Sequence, residues 1–366
     1  MVQSECTFRD NFKETDSLYL AAGKKENTKP EKLLPMTHSE NNPTDLQLWD
    51  KLYQSIDQFF ALKPYKILHE QDIFAVRMPD GKRDYFISIM GRNDEVYALS
   101  AYEGAEALYQ YWVLYEYEEY LPPESILLIP HMMVTLDDRE EITKEQYSII
   151  KQLGRKYRGR QSWPNVRRIV PGYVPIMPGN KRLHDLIHIL DQSTEVVKRA
   201  SESKHFIHNE THHDDEYLYR EIKKDKGKQA WGDNYRRVPE PELKQTITYQ
   251  EGQLNAYKNL PEQKRTVQTD LKMLPFPVKE KGEHPQYPFV LVLVDSESSM
   301  ILDFEMLNPN PDFQTMIGQL PGIILGKFID QGWRPEEILF KSPQLESIMG
   351  FMEQEANQSV GHMVDL

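Results

Sequence analysis

Residues 72–112 read DIFAVRMPDGKRDYFISIMGRNDEVYALSAYEGAEALYQYW and constrain the fold more than any other stretch. Ile73, Ala75 and Arg77 fall on one side of an extended chain, and Phe74, Val76 and Met78 on the other. Pro79-Asp80-Gly81-Lys82 supplies residues that favour a tight turn. Tyr85 to Met90 repeat the alternation as a return strand ended by Gly91, and Val96 to Tyr102 give a third strand. At Gly104-Ala105-Glu106-Ala107-Leu108 the spacing changes to that of a helix. The segment holds no nucleophile–base pair, no ligand cluster and no phosphate loop.

The rest of the chain divides by composition. Residues 1–43 are polar and read as a flexible arm. A helix starts at Thr44 or Asp45, with Leu46, Leu48, Trp49, Leu52, Ile56, Phe59 and Phe60 on its buried face, and Lys63-Pro64 ends it. Ile126 to Ile129 and Met132 to Leu136 read as one bent strand. The acidic Asp137-Asp138 then marks a boundary, giving an α+β domain over 44–138 and a second α+β domain over 139–366. The second contains a helix from about Asn180 to Ala200 and a polar excursion at about 201–260. Its C-terminal part holds an apolar strand, Phe289 to Val294, and a partner strand, Met300 to Leu307. A helix from Asp312 to Gln331, interrupted at Pro321-Gly322, a strand from Glu337 to Lys341 and a helix from Pro343 to Glu355 follow. The expected architecture is two mixed α/β domains behind an N-terminal arm.

Composition narrows the function classes. A length of 366 residues exceeds the usual range of a single core. The net charge of −13 argues against general binding to nucleic acid or anionic membranes. A single cysteine, Cys6, excludes an intrachain disulfide and suits a reducing cytoplasm. The start MVQSECTFRD lacks the basic and apolar regions of a secretory signal, and no window has the roughly 20 apolar residues of a membrane span. A soluble, cytoplasmic protein is expected.

Two phrases in order, SIMGRNDEVYALSAYEGAEAL and WPNVRRIVPGYVP, followed by PFVLVLVD and GWRPEEILF, resemble an uncharacterised bacterial family of two-part proteins. The resemblance covers about residues 44–360 and implies no activity. The stretch at about 201–260 is longer and more charged here than in the shared pattern.

Four constellations carry chemical potential. His184 and His188 sit four apart on one helix, a spacing that lets two imidazoles grip a metal, and His208 and His212 belong to a His-rich run at 205–216. The helix spacing equally describes a polar helix face, and the run a solvated loop. Asp295, Glu297, Asp303 and Glu305 crowd the C-terminal hairpin. That hairpin, with its helix, strand and helix, resembles part of the ribonuclease-H-like arrangement, which implies strand-end carboxylates holding divalent ions. The strand before Ser342-Pro343 ends without the further carboxylate such a site needs, and Asp295 followed by serines is also an ordinary turn former. Arg160, Arg167 and Arg168 flank Trp163 in the main basic cluster, able to hold phosphates and stack a base or to pair with the chain's own carboxylates. Tyr111, Trp112 and Tyr115 lie on an aromatic, acidic helix whose apolar residues occupy more than one face, a candidate sticky surface or an internal contact.

No GxSxG elbow, GxxxxGK[ST] loop or GxGxxG fingerprint is present, and no cofactor is expected. Gly104 reads as a tight strand-to-helix entry, with the helix N-terminus a possible anion site. The expected function is non-catalytic binding of a protein partner or a second copy of the chain. The alternative is a metal-dependent, nuclease-like hydrolase built on Asp295 and its neighbours.

Overall fold

The computed structural model describes residues 2–8, 45–116, 123–203, 205–207, 216–225, 228–241, 243–279 and 284–363. They form an α+β protein of two compact units. The N-terminal unit comprises Met36–Val170 and Pro175–Pro241; the C-terminal unit comprises Met1–Pro35, Pro171–Val174 and Glu242–Leu366. The boundary expected at 138 is therefore corrected. Strand His131–Asp137 pairs along its whole length with Trp163–Ile169, so residues on both sides of 138 share one sheet. Acidic residues at a strand end marked a turn within a unit, and the division falls near 241–242.

The first strand, β1 (Val2–Phe8), belongs to the C-terminal unit. The N-terminal unit opens with helix α1 (Leu46–Ala61), capped by Asp45, whose Oδ1 accepts from the Leu48 amide at 3.0 Å. Leu48, Trp49, Leu52, Tyr53, Ile56, Phe59 and Phe60 form its buried face, as their spacing predicts. Strands β2 (Phe74–Arg77), β3 (Asp84–Met90) and β4 (Tyr97–Glu103) follow as an antiparallel meander. Helix α2 (Gly104–Glu116), strand β5 (His131–Asp137), helix α3 (Lys144–Gln152), strand β6 (Trp163–Ile169) and helix α4 (Asn180–Glu202) come next. Residues 123–128 form a 3₁₀ turn, so only the second of the two apolar runs expected as one bent strand is extended.

The polar excursion is not peripheral. Its strands β7 (Glu216–Asp225) and β8 (Lys228–Arg237) complete a seven-stranded sheet of order β6-β5-β4-β3-β2-β7-β8. Only the β2–β7 pairing is parallel. The alternation in β2 sorts residues to two cores. Phe74, Val76 and Met78 join the cluster under α1 and α4, while Ile73 and Ala75 join Phe86, Tyr102 and Tyr219 under α2. Full burial of side chains such as Trp49, Leu52, Ile56 and Phe59 is worth roughly 1.5–3 kcal/mol each, which makes this two-faced sheet the main source of stability.

In the C-terminal unit, β9 (Leu243–Tyr249) pairs with β1, and helix α5 (Glu251–Lys258) follows. Strands β10 (Glu262–Met273), β11 (Phe289–Asp295) and β12 (Ile301–Leu307) lead to helix α6 (Phe313–Gln331), strand β13 (Arg334–Phe340), helices α7 (Pro343–Met349) and α8 (Phe351–Ala356), and strand β14 (Ser359–His362). The five-stranded sheet has the order β12-β11-β10-β13-β14, antiparallel up to β10 and parallel beyond it. The succession of hairpin, helix, strand and helix expected from the sequence is present as β11, β12, α6, β13 and α7. Helix α6 runs unbroken through Pro321, and the expected terminal helix is two, divided at Gly350. Among the described residues, no helix is long and apolar enough to cross a membrane.

Candidate functional site

Tyr111 is buried against Tyr102, its hydroxyl donating to the Glu70 carbonyl at 2.8 Å. Trp112 donates its indole N–H to the Tyr217 hydroxyl at 2.9 Å, and Gln71 donates to the Tyr115 hydroxyl. These aromatics bind α2 to its own sheet and to the loop at Glu70-Gln71, the internal contact expected as the alternative to a sticky surface, with Trp112 and Tyr115 left partly exposed. Two helical faces were apolar because the sheet and the flanking loop both cover them.

The basic cluster is largely spent within the N-terminal unit. Arg155 pairs with Asp50 and Asp57, and Arg167 bonds Thr135 and lies 3.4 Å from Asp137. Arg168 holds backbone hydrogen bonds to Ile176. Arg160 projects into solvent, 3.7 Å from Asp138. Trp163 packs with Tyr147 and Tyr157 under the Arg139 guanidinium.

The described metal candidates do not converge. Among the described residues, no group of three or more His, Cys, Asp or Glu side chains lies close enough to hold an ion. His184 is exposed and His188 stands beside Trp231; His208 and His212 lie outside the described residues. Asp295 accepts from the Ser298 hydroxyl at 2.6 Å and the Ser298 amide at 2.8 Å. These bonds hold its carboxyl below the usual range. It is the turn former of the β11–β12 hairpin. Asp303 and Glu305 both bond Lys327 of α6, at 3.1 and 2.6 Å, and Glu297 is exposed. Of the four carboxylates expected to act together, Asp295, Asp303 and Glu305 are each used to fasten the hairpin.

A site absent from those expectations lies in the N-terminal unit, at the end of the sheet where β2 turns into β3. A cleft of about 500 Å³ opens there. By register, Arg77 pairs with Asp84 and Tyr219 with Ala75, which places Arg77, Asp84, Phe86 and Tyr219 on the sheet face that also carries α2. Arg236, Arg237, Val238 and Pro239 at the end of β8 form one wall, Gly104 and Ala105 at the start of α2 another, and Lys82 and Arg83 of the hairpin the rim. Gly104 adopts φ +82°, a conformation glycine takes without strain, and this turns β4 directly into α2. The positive end of the helix dipole is thereby brought to the cleft.

Five cationic side chains line the cleft against two carboxylates, Asp84 and Glu103. The four arginines among them are held in place by ion pairs. Asp84 grips Arg77 through Nε and Nη2, both at 2.7 Å, and this raises the Arg77 pKa above its ordinary value. Arg83 bonds the buried Asp185 on α4, which also accepts from Tyr85 at 3.1 Å. Burial opposes the Arg83 charge, but the hydrogen bonds and charge of Asp185 outweigh it. Arg182 bridges Tyr85 and Glu103, the latter at 2.6 Å. Burial keeps the Tyr85 and Tyr219 phenols protonated well above their usual range. The lining includes no Ser, Thr, Cys or His, so it offers charge and shape without a nucleophile–imidazole pair.

The residues of this cleft are spread from 77 to 239 and share no spacing. The one sequence signal was the Gly104 helix start.

No curated protein and no solved structure gives a match to the chain. Residues 49–220 match a family model described as Domain of unknown function (DUF7309), and residues 253–357 match one described as Domain of unknown function (DUF6930). The first of these matches lies almost wholly in the N-terminal unit and the second within the C-terminal one.

Proposed function

We propose that this is a cytoplasmic, non-catalytic binding protein whose N-terminal unit takes up a small anionic ligand in the cleft beside α2. The observation that carries this reading is the excess of five cations over two carboxylates on one concave surface of a chain whose net charge is −13. Overall charge repels anions, so a local reversal of sign at a pocket supports selective capture. The guanidiniums are already fixed by ion pairs, those of Arg83 and Arg236 to the buried Asp185 and Glu221, which lowers the ordering cost of binding. The carboxylate-metal alternative loses support because Asp295, Asp303 and Glu305 are each committed to hairpin contacts.

The test is calorimetric titration of the full chain with citrate, inorganic phosphate and sulfate, at ionic strength matched with chloride. A saturable heat with at least one anion is expected. Lys82 has an exposed side chain on the hairpin rim, so Lys82→Glu should weaken that binding by about tenfold or more without altering the melting curve. Absence of saturable binding for all three anions would overturn the reading.

A further inference from the structure

Resting on that reading, we infer that the cleft recognises a phosphate monoester, its phosphoryl group gripped between the guanidiniums of Arg77 and Arg236. The two side chains are built as a pair. Each guanidinium carbon lies 5.5 Å from the centre of the Tyr219 ring, so one phenol supports both. One oxygen of Glu221, Oε2, accepts from Arg236 Nη2 and sits 3.9 Å from Arg77 Nη1. The other, Oε1, is held by the Asn234 amide at 2.9 Å. Glu221 is only 8% exposed and does not line the cleft, so it fastens the pair from beneath.

Among the described residues, neither Nη1 donates a hydrogen bond, and Arg236 Nε is buried without an acceptor. The Nη1 of each guanidinium therefore stands unused beside the other, while Asp84 fills the Nε–Nη2 fork of Arg77 and Glu221 holds Nη2 of Arg236. A carboxylate has two coplanar oxygens and is filled by one fork. A phosphate ester presents three terminal oxygens in a tetrahedron and close to two negative charges, which suits donors converging from two separate guanidiniums at once. Asp84 also faces the cleft, but its charge is matched by the bidentate bond to Arg77. Lys82, Arg237 and the start of α2 supply further positive potential.

The cavity exceeds what a bare phosphate fills. A volume of about 500 Å³ lies in the range of pockets for small organic ligands, and Ala105, Val238 and Pro239 add apolar wall. The ligand class is accordingly an organic phosphate with a compact, partly apolar body.

Phenyl phosphate, phenyl sulfate and benzoate share one body and differ in the anionic head, so calorimetric titration of the full chain with each isolates the head group. Phenyl phosphate should bind at least about tenfold tighter than benzoate and tighter than phenyl sulfate. Arg236→Lys keeps the charge but loses the fork, and should weaken phenyl phosphate about tenfold while changing benzoate less. Arg77→Gln should do the same, and its melting curve establishes that it folds. Benzoate binding as tightly as phenyl phosphate would sink the phosphate inference and leave the anion reading standing. Failure of all three probes, with citrate and inorganic phosphate also silent, would remove both. Unchanged phenyl phosphate binding in Arg236→Lys and in a folded Arg77→Gln would show that the clamp does not hold the head group.

Discussion

His131 shows how one buried residue ties local geometry to a measurable pH response. Its Nδ1 lies 2.8 Å from the Ile129 carbonyl, which can only accept, so Nδ1 carries the proton in the neutral ring. Its Nε2 is buried without a partner among the described residues. A second proton would place a charge there with nothing to receive it, near the Arg167 cation. Burial, the larger cause, and then Arg167 pull its pKa from 6.5 down to about 4. The unfolded chain therefore binds a proton that the folded chain refuses between those values. Stability contributed by this group is complete above about pH 6.5 and is lost as pH falls toward 4, by about 3 kcal/mol. Denaturant titrations of wild type and His131→Gln at pH 7.5, 6 and 5 check the sign. Gln keeps a donor for Ile129, so the gap between the two proteins should narrow as the pH drops. A gap independent of pH would show that His131 does not titrate this way.

At the scale of elements, helix α6 and strand β9 approach more closely than side chains normally allow. Gly318, Gly322 and Gly326 recur every four residues along α6. A Cβ at 318 would collide with the Thr246 carbonyl, and one at 322 would stand 3.0 Å from the Thr248 carbonyl. The nearest atom at 326 is the Gln253 side-chain nitrogen, at an ordinary 3.7 Å. Gly318→Ala should cost about 2–4 kcal/mol by forcing the backbones apart. Gly326→Ala should be neutral or stabilising by up to about 1 kcal/mol through helix propensity alone. Equal melting temperatures for the two variants would refute the close approach. Elements of this kind mark the limit of what the residues disclose. The hairpin at 74–90 and the capped α1 were legible, because burial on defined faces imprints a period on the sequence. Strand β10 was missed although it is central to its sheet. Val267 and Thr269 are its only buried residues, and the alternation of Val267, Thr269, Leu271 and Met273 occupies only its second half, behind the polar run EQKRT. Pro321 suggested a break in α6 that tertiary packing overrides. The cleft was hidden for a different reason. Arg77, Arg236 and Tyr219 meet only through the parallel β2–β7 pairing, a contact between segments more than a hundred residues apart that no local spacing records.

For the whole molecule, the sheet topology decides where the chain can be divided. A cut at 138 leaves β5 without β6 and removes α3, α4, β7 and β8 from the N-terminal unit. Helix α4 alone contributes Leu183, Leu186, Ile189, Leu190, Val196 and Val197 to the core, all fully buried. It also receives the Ser55 hydroxyl of α1 on Asp191 at 2.8 Å. Without α4 one face of the sheet and the apolar side of α1 are open to water, a loss far larger than the stability of a typical domain. A cut between 241 and 243 keeps all seven strands of the larger sheet together and, besides the connection between β8 and β9, parts only β1 and Pro171–Val174 from the C-terminal unit they belong to. Residues 45–241 expressed alone should therefore melt in one cooperative transition and retain phenyl phosphate binding, since every residue lining the cleft lies within them. Residues 45–138 should lack a cooperative transition by circular dichroism. The two fragments bear on different claims. Cooperative melting of 45–138 would restore the boundary at 138. A folded 45–241 that no longer binds would mean that the cleft depends on the remainder of the chain.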